Sequence, residues 1–302
     1  MFRKSSVVLV LAALAISVAV AAEAEPSQAK LSAAEIVDKN VAARGGLEAW
    51  RAVQTMTLTG KLGAGANQRA TLQVPSPGPT MVSAKRNIQP IVPIRPVEEV
   101  QLPFLMELAR PRKMRFELEF KGQTAVQVYD GANGWKLRPY LNRRVVEPYT
   151  EQETKAASLQ AELDGPLVDY AAKGTRIELA GMEKVEDRDT YKIKLNLKNG
   201  QAMHVWIDAR TFLEARIEGQ PRRLDGTDHP VEVYFRDYRQ VDGLQIPFVL
   251  ETRVLPVGKT AAGFRDPPVP PERIVIEKAV VNAQIQEALF SRPEIGAASN
   301  AQ

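Results

Sequence analysis

From Thr55 onward, apolar and polar residues alternate at every second position over much of the chain. Met114, Phe116, Leu118 and Phe120 alternate with Arg115, Glu117 and Glu119. Tyr191, Ile193, Leu195 and Leu197 alternate with Lys192, Lys194, Asn196 and Lys198. Neighbouring side chains of a strand point to opposite faces, so each run predicts a strand with one buried face and one wet face. Met56, Leu58 and Gly60 alternate with Thr55, Thr57 and Thr59 in the same way. Further strands are expected over 124–129, 135–137, 202–207, 213–219, 230–238, 248–255 and 273–282. Turn chemistry separates them: Lys121-Gly122-Gln123, Asp130-Gly131-Ala132-Asn133-Gly134 and Asn199-Gly200. Turns recur about every 8–12 residues, the spacing of a sandwich, barrel or curved open sheet.

Two segments carry a helical period instead. Ser32 with Glu35 three positions later forms a capping box, and Ile36, Val37, Val41 and Ala42 follow at helical spacing up to Gly45-Gly46. Leu47 to Trp50 adds a further turn. A central segment over 151–172 carries Leu159, Leu163, Leu167, Val168 and Tyr170, and Gly165-Pro166 divides it into two expected short helices. Ahead of these, Arg3 and Lys4 precede an apolar run over 7–22 and Ala-x-Ala sites at Ala19-Val20-Ala21 and Ala22-Glu23-Ala24. That pattern reads as a cleavable secretory signal over 1–24, since the run is short for a bilayer that needs roughly 20 apolar residues. Residues 25–302 then form one expected domain. Two proline-rich insertions interrupt it, near 75–103 and 256–271. Proline cannot donate to a strand ladder, so parts of both are expected as loop or edge.

Composition narrows the function more than the fold. The 302 residues contain no Cys and two His. This excludes a disulfide framework, a thiolate metal site and a Cys nucleophile, and it argues against an all-His metal centre. Loss of Arg3, Lys4 and Glu23 with the signal takes the formal charge from +4 to +3. Acidic and basic residues are interspersed, and no basic run with interleaved aromatics marks a nucleic-acid surface. An exported chain without Cys suits a Gram-negative periplasm.

Candidate chemistry is sparse. The motifs Gly-x-x-x-x-Gly-Lys-[Ser/Thr], Gly-x-Ser-x-Gly and His-Glu-x-x-His are absent. Gly60-Lys61-Leu62-Gly63-Ala64-Gly65 has no helix after it and reads as a hairpin loop rather than a phosphate cradle. His204 reads as a polar sheet position. Asp225, Asp228 and His229 read as turn residues before a metal set. Glu117 and Glu119 read as a solvated strand face. No nucleophile, base and orienting partner assemble, so the expectation is a non-enzyme with no cofactor and no metal. What remains is apolar surface: Met114, Phe116, Leu118, Phe120, Trp135, Tyr191, Ile193, Leu195 and Leu197. On a curved sheet lidded by helices these residues either fill a dry core or line a cavity for an acyl chain.

An ordered set of segments resembles the LolA/LolB-like superfamily, which includes bacterial outer-membrane lipoprotein-sorting proteins. The set is Ala43-Arg44-Gly45-Gly46-Leu47-Glu48-Ala49-Trp50; Arg110-Pro111-Arg112-Lys113 leading to Tyr129-Asp130-Gly131-Ala132-Asn133-Gly134-Trp135; Gly181-Met182-Glu183 running to Trp206-Ile207-Asp208-Ala209; Phe235-Arg236-Asp237-Tyr238 with Val241-Asp242-Gly243-Leu244; and Ala288-Leu289-Phe290 with Pro293. The resemblance spans about 33–293. It implies an incomplete β-barrel of about eleven strands, lidded by short helices over a hydrophobic cavity. It further implies a periplasmic carrier whose partner is a lipid or an acylated lipoprotein. The carrier's acyl-sensing arginine is not assigned to any Arg of this chain, and both proline-rich stretches exceed the compact carrier's pattern. The alternative expectation is an interaction module for an inner- or outer-membrane envelope protein. No nucleic-acid partner is expected.

Overall fold

The computed structural model describes residues 31–64, 99–139, 143–224, 226–258 and 269–294. The expected export signal and most of both proline-rich stretches lie outside those residues. The described elements are α1 (Ala33–Ala43), α2 (Leu47–Ala52), β1 (Thr55–Ala64), β2 (Val100–Ala109), β3 (Lys113–Phe120), β4 (Gln123–Tyr129), β5 (Gly134–Arg138), β6 (Arg143–Pro148), α3 (Glu151–Gln160), β7 (Arg176–Val185), β8 (Arg188–Asn196), β9 (Ala202–Asp208), β10 (Glu214–Leu224), β11 (Thr227–Val241), β12 (Leu244–Val254) and β13 (Glu272–Val281). A 3-10 turn at Glu287–Phe290 follows. No helix among the described residues is long and apolar enough to cross a membrane.

All thirteen strands form one antiparallel sheet, in the order β6-β5-β4-β3-β2-β1-β13-β12-β11-β10-β9-β8-β7. The sheet does not close: β6 and β7 are its two edges, although they are consecutive in the chain. The segment between them therefore has to cross from one edge to the other. It does so over one face, called the inner face below, and this topology is what places a lid there. α3 rests against β4 and β5, where Lys136 pairs with Glu153. Past α3, residues 163–174 run as successive turns. The two short helices expected over 151–172 are thus one helix, ending at Gln160. Leu163, Leu167 and Val168 are still buried, so that stretch packs without needing helical geometry.

Thirteen strands stand where about eleven were expected. β2, β6 and β7 are the ones the alternation did not single out. β2 contains Pro103, which argued against a strand. Pairing of β2 with β3 begins only at Phe104, so Pro103 lies on a stretch with a single partner strand, the edge-like setting in which proline is tolerated. The glycine-rich 60–65 segment is also no hairpin loop up to Ala64, where β1 ends. Gly60 sits at a register shift against β13, and a Cβ there would lie 2.0 Å from the Val275 carbonyl oxygen. Glycine is needed for close approach of two strands, not for a turn.

α1 begins as its sequence dictates: the Ser32 side chain accepts from Glu35 N–H, and the Glu35 carboxylate accepts from Ser32 N–H. Its buried face of Ile36, Val37, Asn40 and Val41 turns to the sheet near β7. Asn40 donates to the Phe212 carbonyl at 2.8 Å, and Phe212 stacks on Tyr191 of β8 at 6.1 Å between centroids.

Candidate functional site

Pairing register assigns every strand residue to a face, because directly paired residues lie on the same side. Leu195 pairs with Met203, Val205 with Ile217, Ile217 with Val233, and Val233 with Thr252. These make a continuous inner surface across β8 to β12. α3 and the turns after it stand over this surface and leave a cavity of about 680 Å³, within the range of small-molecule sites. Its apolar floor is Leu197, Met203, Ile217, Val231 and Val233, and its roof includes Ala156, Leu159 and Pro166. Arg112, Gln160, Lys198, Asn199 and Gln220 also line it and are exposed, so they form its mouth. Gly219 in the lining has Val231 so close that an added Cβ would lie 2.7 Å from its Cγ1.

Charged side chains near the cavity are mostly committed to one another. Glu162 accepts from Arg112 at 2.9 Å and pairs with Lys173 at 3.2 Å. Lys173 also binds the buried Asp164, which receives Arg110 at 2.7 Å. Arg222 forms a two-pronged pair with Glu272 on β13, one prong at 3.0 Å. Below this layer Arg44 donates to Glu214 at 3.1 Å and to the Asp164 carbonyl at 3.0 Å, and its guanidinium lies 4.3 Å from the Trp50 ring centre. Tyr238 O–H donates to Glu214 at 3.1 Å. Burial, and then the Glu214 carboxylate, push the Tyr238 hydroxyl well above its usual pKa. This cluster ties α1, the turns after α3 and the sheet together.

Of the nine apolar residues expected at a cavity, Leu197 lines this one. Met114, Ile193 and Leu195 are at most 2% exposed and belong to the core. Phe116 is on the inner face and stacks on Phe104 at 5.8 Å, with Leu118 paired to Phe104 beside it. Phe120 pairs with Gln123 at the end of β3. Tyr191 lies under α1 through Phe212. Trp135 faces the other way. It pairs with Val128, which lies on the face of Arg115 and Glu117, and packs on the buried cluster of Val126, Val128 and Leu137. Met203, Ile217, Val231 and Val233 were absent from the expected set. The signal for them was present: through the Asn199-Gly200 turn, the parity of Leu195 carries over to Met203 and on around the sheet.

The outer face of β8 to β13 is built differently. Trp206 and Tyr234 are buried there among Arg216, Arg236 and Arg253. The Arg216 guanidinium lies 3.7 Å from the Trp206 ring centre, and that of Arg253 lies 4.0 Å from the Tyr234 ring centre. Glu183, Glu186, Glu232 and Glu251 neutralise these cations. Hydrogen bonds from Arg236, and then Arg253, hold the Glu186 carboxyl down at about 2. His204 joins this face, with Nδ1 2.9 Å from Glu218 Oε1. His229 is fully buried with Nδ1 3.1 Å from the Leu255 carbonyl. Asp225, grouped with His229 and Asp228 as a turn, lies outside the described residues.

No family model matches the chain, and no curated protein does. Solved structures do match. The chain is similar to a LolA superfamily protein from Nitrosomonas europaea, with 12% identity over 86% of this chain and 98% of that one, at a TM-score of 0.49. It is similar to a domain described as that of an outer membrane lipoprotein-sorting protein from Vibrio parahaemolyticus, with 11% identity over 85% and 94% and a TM-score of 0.47. It is also similar to a DUF1329 family protein from Desulfovibrio piger, with 12% identity over 86% and 97% and a TM-score of 0.49. The first two carry the names of the family that the ordered segments resemble.

Proposed function

We propose that this chain is a periplasmic carrier that encloses a hydrophobic ligand, a lipid or the acyl chains of a lipoprotein, on its way to the outer membrane. The supporting observation is the cavity of about 680 Å³ between α3 and the inner face, with its floor of Leu197, Met203, Ile217, Val231 and Val233. Binding is non-covalent: each methylene moved from water onto that floor contributes about 0.8 kcal/mol. Entry and release need only movement of α3 and the turns behind it. Export by the segment over 1–24 would place the protein between the two membranes.

The test is native mass spectrometry of protein purified from a periplasmic extract, together with titration of a fluorescent fatty acid. A homogeneous lipid-sized adduct and micromolar binding are expected. Ile217→Asp or Val233→Asp places a charge on the floor and should weaken binding at least tenfold, the order of burying an uncompensated charge. Glu117→Ala, on the outer face in contact with Arg115 at 2.7 Å, should leave binding as it is. A ligand-free protein that binds no fatty acid would end the carrier reading and leave the envelope interaction module in its place.

A further inference from the structure

We infer that the cavity selects amphiphiles with an anionic head group, seated at the mouth by Lys198 and Arg222 while the tail lies on the floor. This rests on the carrier reading and deepens it. The lining carries four cationic side chains, Arg112, Lys173, Lys198 and Arg222, and two carboxylates, Glu162 and Glu218. Neither carboxylate is free to repel an anion or hold a cationic ligand. Glu162 is taken by Arg112 and Lys173. Glu218 pairs with Glu232 in the register and turns to the outer face, where it receives the His204 backbone N–H at 2.8 Å.

The cations differ in what they have left to offer. Arg112 and Lys173 are engaged by Glu162 and Asp164. Arg222 shares two of its nitrogens with Glu272, but a guanidinium carries five N–H donors in a planar fork, so donors remain. Lys198 has no carboxylate partner among the described residues. Its stem runs past Gly174, where an added Cβ would be 3.3 Å from the Lys198 Cβ and Cδ. A cation beside an apolar cavity acts more strongly on an anion than one on open surface, because the low-dielectric wall screens it less. A carboxylate or phosphate ester head group meets both needs, with the apolar tail running down to Met203, Ile217 and Val233. A neutral head group gains nothing at Lys198, and a quaternary ammonium is repelled.

The experiment is displacement of N-phenyl-1-naphthylamine from the purified mature protein at low salt by four competitors. They are dodecanoate, 1-dodecanol, dodecyltrimethylammonium and inorganic phosphate. Dodecanoate should compete about tenfold better than dodecanol, the order of one charge-assisted hydrogen bond, and the ammonium worst of the amphiphiles. Lys198→Met, which keeps the stem, should lower the acid-to-alcohol ratio severalfold, to the part that Arg222 retains, Lys198→Arg should restore it, and Lys198→Glu should reverse the order of acid and ammonium. Equal competition by acid and alcohol, unmoved in Lys198→Met, overturns the head-group inference and leaves the carrier reading standing. Displacement by inorganic phosphate as effective as by dodecanoate would show a free-anion site and overturn the amphiphile inference. If no amphiphile displaces the probe, it is the carrier reading itself that fails.

Discussion

Single side chains carry much of the connection between lid and sheet. Arg44 is the clearest case: its guanidinium binds Glu214 and the Asp164 carbonyl, and its own carbonyl accepts from Trp50 Nε1 at 3.1 Å and Gln245 N–H at 3.0 Å. Arg44→Met keeps the apolar stem but strands a buried Glu214 carboxylate beside Tyr238. Loss of about 3 kcal/mol or more is expected, measured as a shift in the urea midpoint at neutral pH. Glu186 acts on pH dependence instead. Its carboxyl titrates at about 2 in the fold against 4.5 for the free group. The folded state therefore gains from the ionised form above 4.5, and that gain drains away as pH falls from 4.5 towards 2. The side chain is 36% exposed, so solvent screening keeps the contribution modest. Replacing it by Gln should flatten the melting temperature against pH in that window, and an unchanged slope would show that the Arg236 pair contributes nothing.

At the scale of elements, caps and close approaches decide what forms. Thr150 and Glu153 cap α3 reciprocally, as Ser32 and Glu35 cap α1. Thr150→Ala should cost α3 about 1 kcal/mol. Because α3 is the roof, hydrogen exchange of its amides and the ligand off-rate should both rise, while β-sheet amides stay protected. Gly60→Ala should be far more damaging, since its Cβ would collide with backbone that cannot turn aside, and a fall in the urea midpoint of several kcal/mol equivalent is expected. Strands with one wet face were plain in the sequence: β3 and β8 alternate without ambiguity, and the turn chemistry at Asn199-Gly200 gave the β8–β9 hairpin. The α1 cap was equally plain. Where both faces are apolar, alternation says less. Val205, Trp206 and Ile207 are all buried, so composition alone could not tell which faced the inner side of the sheet. Trp135 went to the wrong face for a related reason, as Val126, Val128 and Leu137 bury the outer side of β4 and β5. The pairs Arg112–Glu162, Arg222–Glu272 and Arg44–Glu214 join residues 50, 50 and 170 positions apart, and nothing local announces them.

The whole molecule follows from one topological fact. Because the two chain halves join at β1 and β13, consecutive strands β6 and β7 end up on opposite edges, and the chain between them must cover the inner face. A lid is thus a necessity of the strand order, and a hollow under it depends on how fully α3 and its turns fill the space. The outer face bears on that. Its layer of stacked guanidiniums, Trp206, Tyr234 and four glutamates binds neighbouring strands to one another from behind. The wall is stiffened on its back, as a hull is by ribs set outside the hold, by pairs that no occupant of the cavity would supply. Empty protein should accordingly melt cooperatively. Raising salt should lower its melting temperature, because the ions it screens hold the strands to one another from behind.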